Sequence, residues 1–154
     1  MYDHILFWVY IVQKMKITSA TISISNLRLR TFIGFNDEER EKQQDIVINA
    51  EIQHCLDPQV VEADQVDAAL NYKTITKQII KLVEDGRFLL LEKLTHEVLA
   101  ICAEDASVLK ATVRIDKPHA LRFADSVSVT LSYDAAGEKE HEHTLRSISQ
   151  ASWD

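Results

Sequence analysis

The sequence predicts one α+β domain in which an antiparallel sheet carries two helices on one face. Three observations predict it. Apolar and polar residues alternate in two stretches early in the domain and two late in it, the period of half-buried strands. Two stretches between them repeat apolar residues at helical spacing. The resulting order is β-β-α-α-β-β, and strands that alternate, instead of running continuously apolar, belong to a sheet covered on one side.

Each element has its own signal. Ile22 and Ile24 alternate with Thr21, Ser23 and Ser25, and the strand continues through Leu27 and Leu29 to Phe32. Gly34 opens a charged and polar loop from Phe35 to Gln44. Ile46, Ile48, Ala50 and Ile52 then fall on one face of a second strand, which Asp57-Pro58 ends. Gln59 to Ala69 is acidic, with weak structural signals. Asn71 is the expected N-cap of a helix from Tyr72 to Glu84, with Ile75, Ile79, Leu82 and Val83 on its apolar face and Asp85-Gly86 as its stop. A second helix is expected from Leu90 to Asp105, with Leu91, Leu94, Val98, Ile101 and Cys102 on one face. Ala111, Val113 and Ile115 mark a third strand, ended by Lys117-Pro118. Val127, Val129, Leu131 and Tyr133 mark a fourth. The opposite face of the sheet carries Ser, Thr and Asn, suited to water or to the lumen of a barrel.

The bulk properties fit this picture. The 154 residues contain only 3 Gly and 2 Pro, 46% are hydrophobic and 27% charged, which suits one soluble domain with a real core and excludes a wholly disordered or collagen-like chain. The formal charge of −7 disfavours non-specific nucleic-acid binding. Cys55 and Cys102 stand far apart with no CxxC pair, which excludes a disulfide scaffold and a thiolate zinc site and suits a reducing cytosol. Both are expected to be buried small hydrophobes.

The ends fall outside this pattern. Ile5 to Val12 is continuously apolar but too short to span a bilayer, and no basic region precedes it as in a signal peptide. Residues 1–14 read as an extension before a domain beginning at Met15, as an upstream start codon would give; an extra edge strand or interface segment is the alternative. The domain is expected over 15–133. Residues 134–154 carry five acidic residues against Lys139 and Arg146 and read as a solvated tail.

Five segments together carry a resemblance: LeuArgLeuArgThrPheIleGly (27–34), GlnAspIleValIleAsn (44–49), AlaLeuAsnTyrLysThrIleThrLys (69–77), ArgPheLeuLeuLeuGluLysLeu (87–94) and AspLysProHisAlaLeuArgPheAlaAspSerVal (116–127). Over residues 20–133 the chain resembles the dihydroneopterin aldolase family, and within it the branch that epimerises dihydroneopterin triphosphate at C2′. The resemblance implies the tunnelling (T-) fold, whose β-β-α-α-β-β subunits form rings around a sheet barrel, typically a homo-octamer of two tetrameric rings, with active sites between subunits.

It also assigns roles. Glu92 starts the second helix, where the helix dipole alone favours a carboxylate. The resemblance makes it a pterin anchor, since a carboxylate accepts from the ring N–H and amino group together. Tyr72, otherwise a packing residue, matches a catalytic tyrosine able to relay a proton. Lys117, otherwise a solvated strand-end lysine, matches one that moves protons at the side-chain hydroxyl, directly or through water. It is not expected to form a Schiff base, because the pterin's own imine can take the electrons. Glu39 matches a loop glutamate near substrate. Its neighbours Glu38 and Glu41 are candidates at adjacent alignments. Leu91 and Asn71 are expected to border the pterin.

A triphosphate needs cations. Arg28, Arg30, Lys73, Lys77, His119 and Arg122 are the candidates, and Arg28 and Arg30, two apart, share a strand face. His141 and His143 have the spacing of a weak metal site but lie in the tail. No HisXHis pair with a third ligand occurs in the domain, so neither metal nor cofactor is expected. The expected activity is the epimerase; the alternatives are the aldolase, which releases glycolaldehyde, and a non-catalytic oligomeric pterin-binding module. Expected partners are a small pterin substrate and further copies of the chain, with no nucleic acid and no membrane.

Overall fold

The computed structural model describes residues 2–14 and 17–138. Met15 and, of the 134–154 tail, residues 139–154 with His141 and His143 lie outside the described residues. In order the elements are α1 (Tyr2–Lys14), β1 (Ser19–Ile33), α2 (Asp37–Glu41), β2 (Gln44–Cys55), α3 (Pro58–Glu62), α4 (Tyr72–Asp85), β3 (Arg87–Phe88), α5 (Leu91–Ala103), β4 (Val108–Pro118) and β5 (Ser126–Asp134). The sheet order is β3-β1-β2-β4-β5. The four long strands pair antiparallel, and the two-residue β3 adds a parallel edge to β1.

The apolar phase of β1 explains its one irregularity. Ile22 and Ile24 occupy even positions and Leu27 and Leu29 odd ones, so a regular strand would turn one pair away from the core. The register shifts between Ile24 and Leu27, with Asn26 at φ 53° and its N–H donating to Asn49 Oδ1 at 2.9 Å. This bulge keeps both pairs on the helix side.

That side is the core. Ile46, Ile48, Ile52, Val113 and Ile115 are fully buried beside Ile79 and Val83 of α4 and Leu94 and Val98 of α5. Each such side chain contributes roughly 1.5–3 kcal/mol by leaving water. Thr31 Oγ1 donates to the Val83 carbonyl at 2.7 Å, fastening the end of α4 to β1. Gly86 stops α4 as expected, through a close approach and not a left-handed backbone. Its φ is −88°, and a Cβ there would stand 2.3 Å from the Phe88 ring.

The sequence reading needs further corrections besides the added strand β3. The loop after Gly34 contains α2, and the acidic stretch after Asp57 begins with α3, whose Pro58 sits at its start under the Asp57 cap. Residues Tyr2–Lys14 form a helix, not an edge strand, with Ile5 through Tyr10 exposed. Cys55 is exposed at the end of β2, whereas Cys102 is buried and burial pushes its thiol up to about 12.

Candidate active site

The alternation of β4 that buries Val113 and Ile115 carries Lys117 onto the same covered face, and its side chain is only 10% exposed. A buried ammonium needs a partner. Glu39 supplies it: Lys117 Nζ donates to Glu39 Oε1 at 2.6 Å. The second carboxylate oxygen accepts from the Asn36 backbone N–H at 3.2 Å, half of a capping box at the start of α2. Of the three loop glutamates, Glu39 is the one paired with Lys117. The hydrogen bond from Lys117 is the largest influence holding its carboxyl below the usual carboxylate range; the Asn36 and Phe35 N–H groups act the same way, and desolvation opposes them.

Gly34 makes room for this carboxylate. A Cβ at position 34 would lie 2.0 Å from Glu39 Oε2, and its φ of +129° is one that L side chains rarely adopt. The Gly34 N–H donates to the Phe88 carbonyl at 2.9 Å, continuing the pairing of Ile33 with Phe88. This draws the Leu89–Leu91 segment and the first turn of α5 to the end of β1 that carries Gly34. Glu92 is exposed in that first turn and Leu91 is half-buried.

Asn71 caps α4 as expected, its Oδ1 accepting from the N–H groups of Lys73 and Thr74 at 3.1 Å each. Tyr72 follows it, 54% exposed. Among the described residues no hydrogen bond joins Tyr72 to Lys117, Glu39 or Glu92.

The phosphate candidates divide. Arg28, Arg30 and His119 line one cavity of about 340 Å³ with Leu29, Asp45, Ile46, Val47 and Pro118. Lys73, Lys77 and Arg122 do not line it, and the Arg122 guanidinium lies 5.7 Å from the Phe123 ring centre. Arg30 is engaged by Asp45 at 3.0 Å and by the Gln43 carbonyl at 2.9 Å. Arg28 and Arg30 oppose Val47 and Asp45 in register, on the face away from the helices. The 117–119 segment straddles the sheet end: Lys117 sits on the covered face, while Pro118 and His119, with φ +62°, border the cavity on the other.

A second polar group was not legible in advance. Asp116 takes a two-point bond from Arg114, at 2.8 and 3.0 Å, and a third from Ser126 Oγ at 2.7 Å. It ties the start of β5 to the residue before Lys117. The i, i+2 spacing of Arg114 and Asp116 was its only sequence signal.

Comparison with known proteins decides the family. The model of the dihydroneopterin aldolase family matches residues 22–132. The chain belongs to the dihydroneopterin aldolase family. It is 56% identical over 115 residues to the dihydroneopterin triphosphate 2′-epimerase of Escherichia coli (strain K12), covering 75% of this chain and 95% of that relative. Its fold matches the dihydroneopterin aldolase of Escherichia coli solved with neopterin, at TM-score 0.67 and 26% identity over 74% of this chain and 98% of the other. It also matches a putative aldolase of Vibrio cholerae O1 biovar El Tor, at TM-score 0.70 and 28% identity over 77% and 99%. The α+β fold expected from the family is therefore present, consistent with the T-fold. Both α1 and the chain beyond β5 lie outside the family match.

Proposed function

We propose that this chain epimerises dihydroneopterin triphosphate at C2′, giving dihydromonapterin triphosphate. The observation that carries the reading is the gap between 56% identity to an epimerase across nearly its whole length and 26–28% identity to the two aldolase structures. The Lys117–Glu39 pair, with Lys117 buried and Glu39 half-buried, supplies acid–base groups for the chemistry.

The reaction is a reversible retro-aldol step. A base takes the 2′-hydroxyl proton, the C1′–C2′ bond breaks, and its electron pair moves into the C6=N5 imine. C2′ becomes an aldehyde still carrying the triphosphate. The aldehyde turns, the electron-rich C1′ adds to its other face, the imine re-forms, and the new alkoxide takes back a proton. Lys117 handles the proton at the side-chain hydroxyl, with Glu39 holding its ammonium. Glu92 receives the pterin N–H and amino group, and Leu91 borders the ring. Tyr72 enters from a second copy of the chain, in keeping with its exposure and its lack of a bond to the Lys117–Glu39 pair. Such sites between subunits require a ring, a homo-octamer or tetramer. Arg28, Arg30 and His119 hold phosphate oxygens and keep the aldehyde from escaping, which favours re-addition over release.

The second reading is the aldolase, favoured by the family model and both fold neighbours. One incubation separates the two. Dihydroneopterin triphosphate is supplied, the products are dephosphorylated and oxidised, and neopterin, monapterin and free aldehyde are quantified together. Monapterin with little aldehyde is the expected result. Hydroxymethylpterin with stoichiometric aldehyde overturns the epimerase in favour of the aldolase.

A further inference from the structure

We propose that Arg87 is a positioning residue that holds Glu39 against Lys117. The inference rests on the functional reading of that pair. α2, which carries Glu39, has five residues and none of them is buried; a helix that short has no stability of its own in water. At its ends the Arg40 N–H donates to the Asn36 carbonyl at 3.1 Å and the Lys42 N–H to the Glu38 carbonyl at 3.2 Å.

Among the described residues, two side chains from elsewhere in the chain hydrogen-bond to α2. One is Lys117, on Glu39 itself. The other is Arg87, whose Nη1 donates to the Arg40 carbonyl at 3.2 Å. That carbonyl belongs to the residue immediately after Glu39. Arg87 is itself fixed, because its guanidinium stacks on the Phe32 ring at 3.9 Å and its backbone pairs with Phe32 in the β1–β3 ladder. Phe32 stands two residues before Gly34, the glycine over which the Glu39 carboxylate lies. Arg87 therefore clamps the C-terminal side of α2 to the strand end that Glu39 must face. A planar guanidinium can stack and donate in its plane together; a lysine retains the donor and loses the stacked plane.

The test uses the full chain with Arg87→Ala, Arg87→Lys, Glu39→Gln and the Arg87→Ala/Glu39→Gln double variant. Turnover of dihydroneopterin triphosphate and amide hydrogen exchange are both measured. Arg87→Ala is expected to lower kcat about 10- to 100-fold, the range a misplaced proton-transfer group costs, with KM within about twofold. Arg87→Lys recovers part of the loss. The double variant matches Glu39→Gln alone, because a clamp has nothing left to position once the carboxylate is gone. Exchange at the Arg40 and Lys42 amides speeds up in Arg87→Ala while the amides of β2 and β4 keep their protection. Multiplicative losses in the double variant, or unchanged exchange at Arg40 and Lys42, overturn the proposal. A wild-type chain without turnover overturns the functional reading, and the exchange comparison still decides whether Arg87 holds α2.

Discussion

Lys117 and Glu39, 78 positions apart in sequence, meet at 2.6 Å at the end of the sheet. One comes from the last turn-in of β4 and the other from a five-residue helix, and neither has another ion-pair partner among the described residues. If this pair moves the substrate's proton, Lys117→Met removes the group and leaves a side chain that fits a buried site. We expect kcat to fall by at least about 100-fold, the low end of what positioned acid–base groups supply, with an unchanged circular dichroism spectrum. Turnover within a few-fold of wild type would remove Lys117 from the mechanism.

The same pair makes stability depend on pH in a defined direction. Folding lowers the Glu39 carboxyl, chiefly through the Lys117 hydrogen bond. Between the folded and unfolded values the unfolded chain binds more protons, so stability rises with pH there and falls on acidification. The contribution is complete above the ordinary glutamate value of about 4.3 and disappears as pH falls through the lower folded value. Urea midpoints of wild type and Glu39→Gln should differ near neutral pH and converge in acid. A difference that stays constant down to the acid limit would assign the stability of wild type to something other than this carboxylate.

Gly34 is the tightest constraint on the pair. Gly34→Ala adds a Cβ where Glu39 Oε2 now lies and forces alanine to φ +129°. The expected outcome is a loss of about 1–3 kcal/mol of stability from the backbone conformation alone, together with a fall in turnover as Glu39 is displaced. Adding Glu39→Gln to Gly34→Ala should lower activity little further. Full activity in Gly34→Ala would mean the carboxylate has room to spare.

These relationships show what the sequence carried. The long strands and the two helices packed on them were legible because burial imposes a period: Ile46, Ile48, Ala50 and Ile52 on β2, and Ile75, Ile79 and Val83 on α4, all point where the pattern put them. α2 was not legible, because five charged residues have no apolar period; its one signal was the Asn36-x-x-Glu39 capping spacing. β3 escaped for the same reason, two residues being too few to alternate. The pairing of Lys117 with Glu39 follows from tertiary closure. The resemblance named both residues, but only the fold brings one to the other. Among the cations, charge alone could not separate Arg28, Arg30 and His119 from Lys73 and Arg122, since strand pairing decides which of them share a cavity.

Glu92 tests the pterin anchor. It is exposed in the first turn of α5, so nothing in the chain's own packing requires a carboxylate there. Glu92→Gln keeps the size and one acceptor but loses the charge and the second acceptor. Charge-assisted bonds contribute about 1.5–3 kcal/mol each, so pterin affinity should weaken about 10- to 100-fold while the melting temperature moves little. Isothermal titration with neopterin reads this directly. Unchanged affinity would move the pterin away from α5.

The cavity beside His119 gives the sharpest distinction between substrates. Arg28 has no ion-pair partner among the described residues, whereas Arg30 is engaged by Asp45. Arg28→Ala should therefore lose phosphate contact without freeing a buried charge. We expect its KM for dihydroneopterin triphosphate to rise about tenfold, as the loss of one charge-assisted bond implies, with the KM for unphosphorylated dihydroneopterin unchanged. Free aldehyde should rise in the same reaction, because a fragment held less firmly escapes before it re-adds. Arg122→Ala, outside the cavity, serves as the comparison and should alter neither value. If Arg122→Ala raises the triphosphate KM and Arg28→Ala does not, the phosphates run along the 119–125 loop and not across the open face of β1.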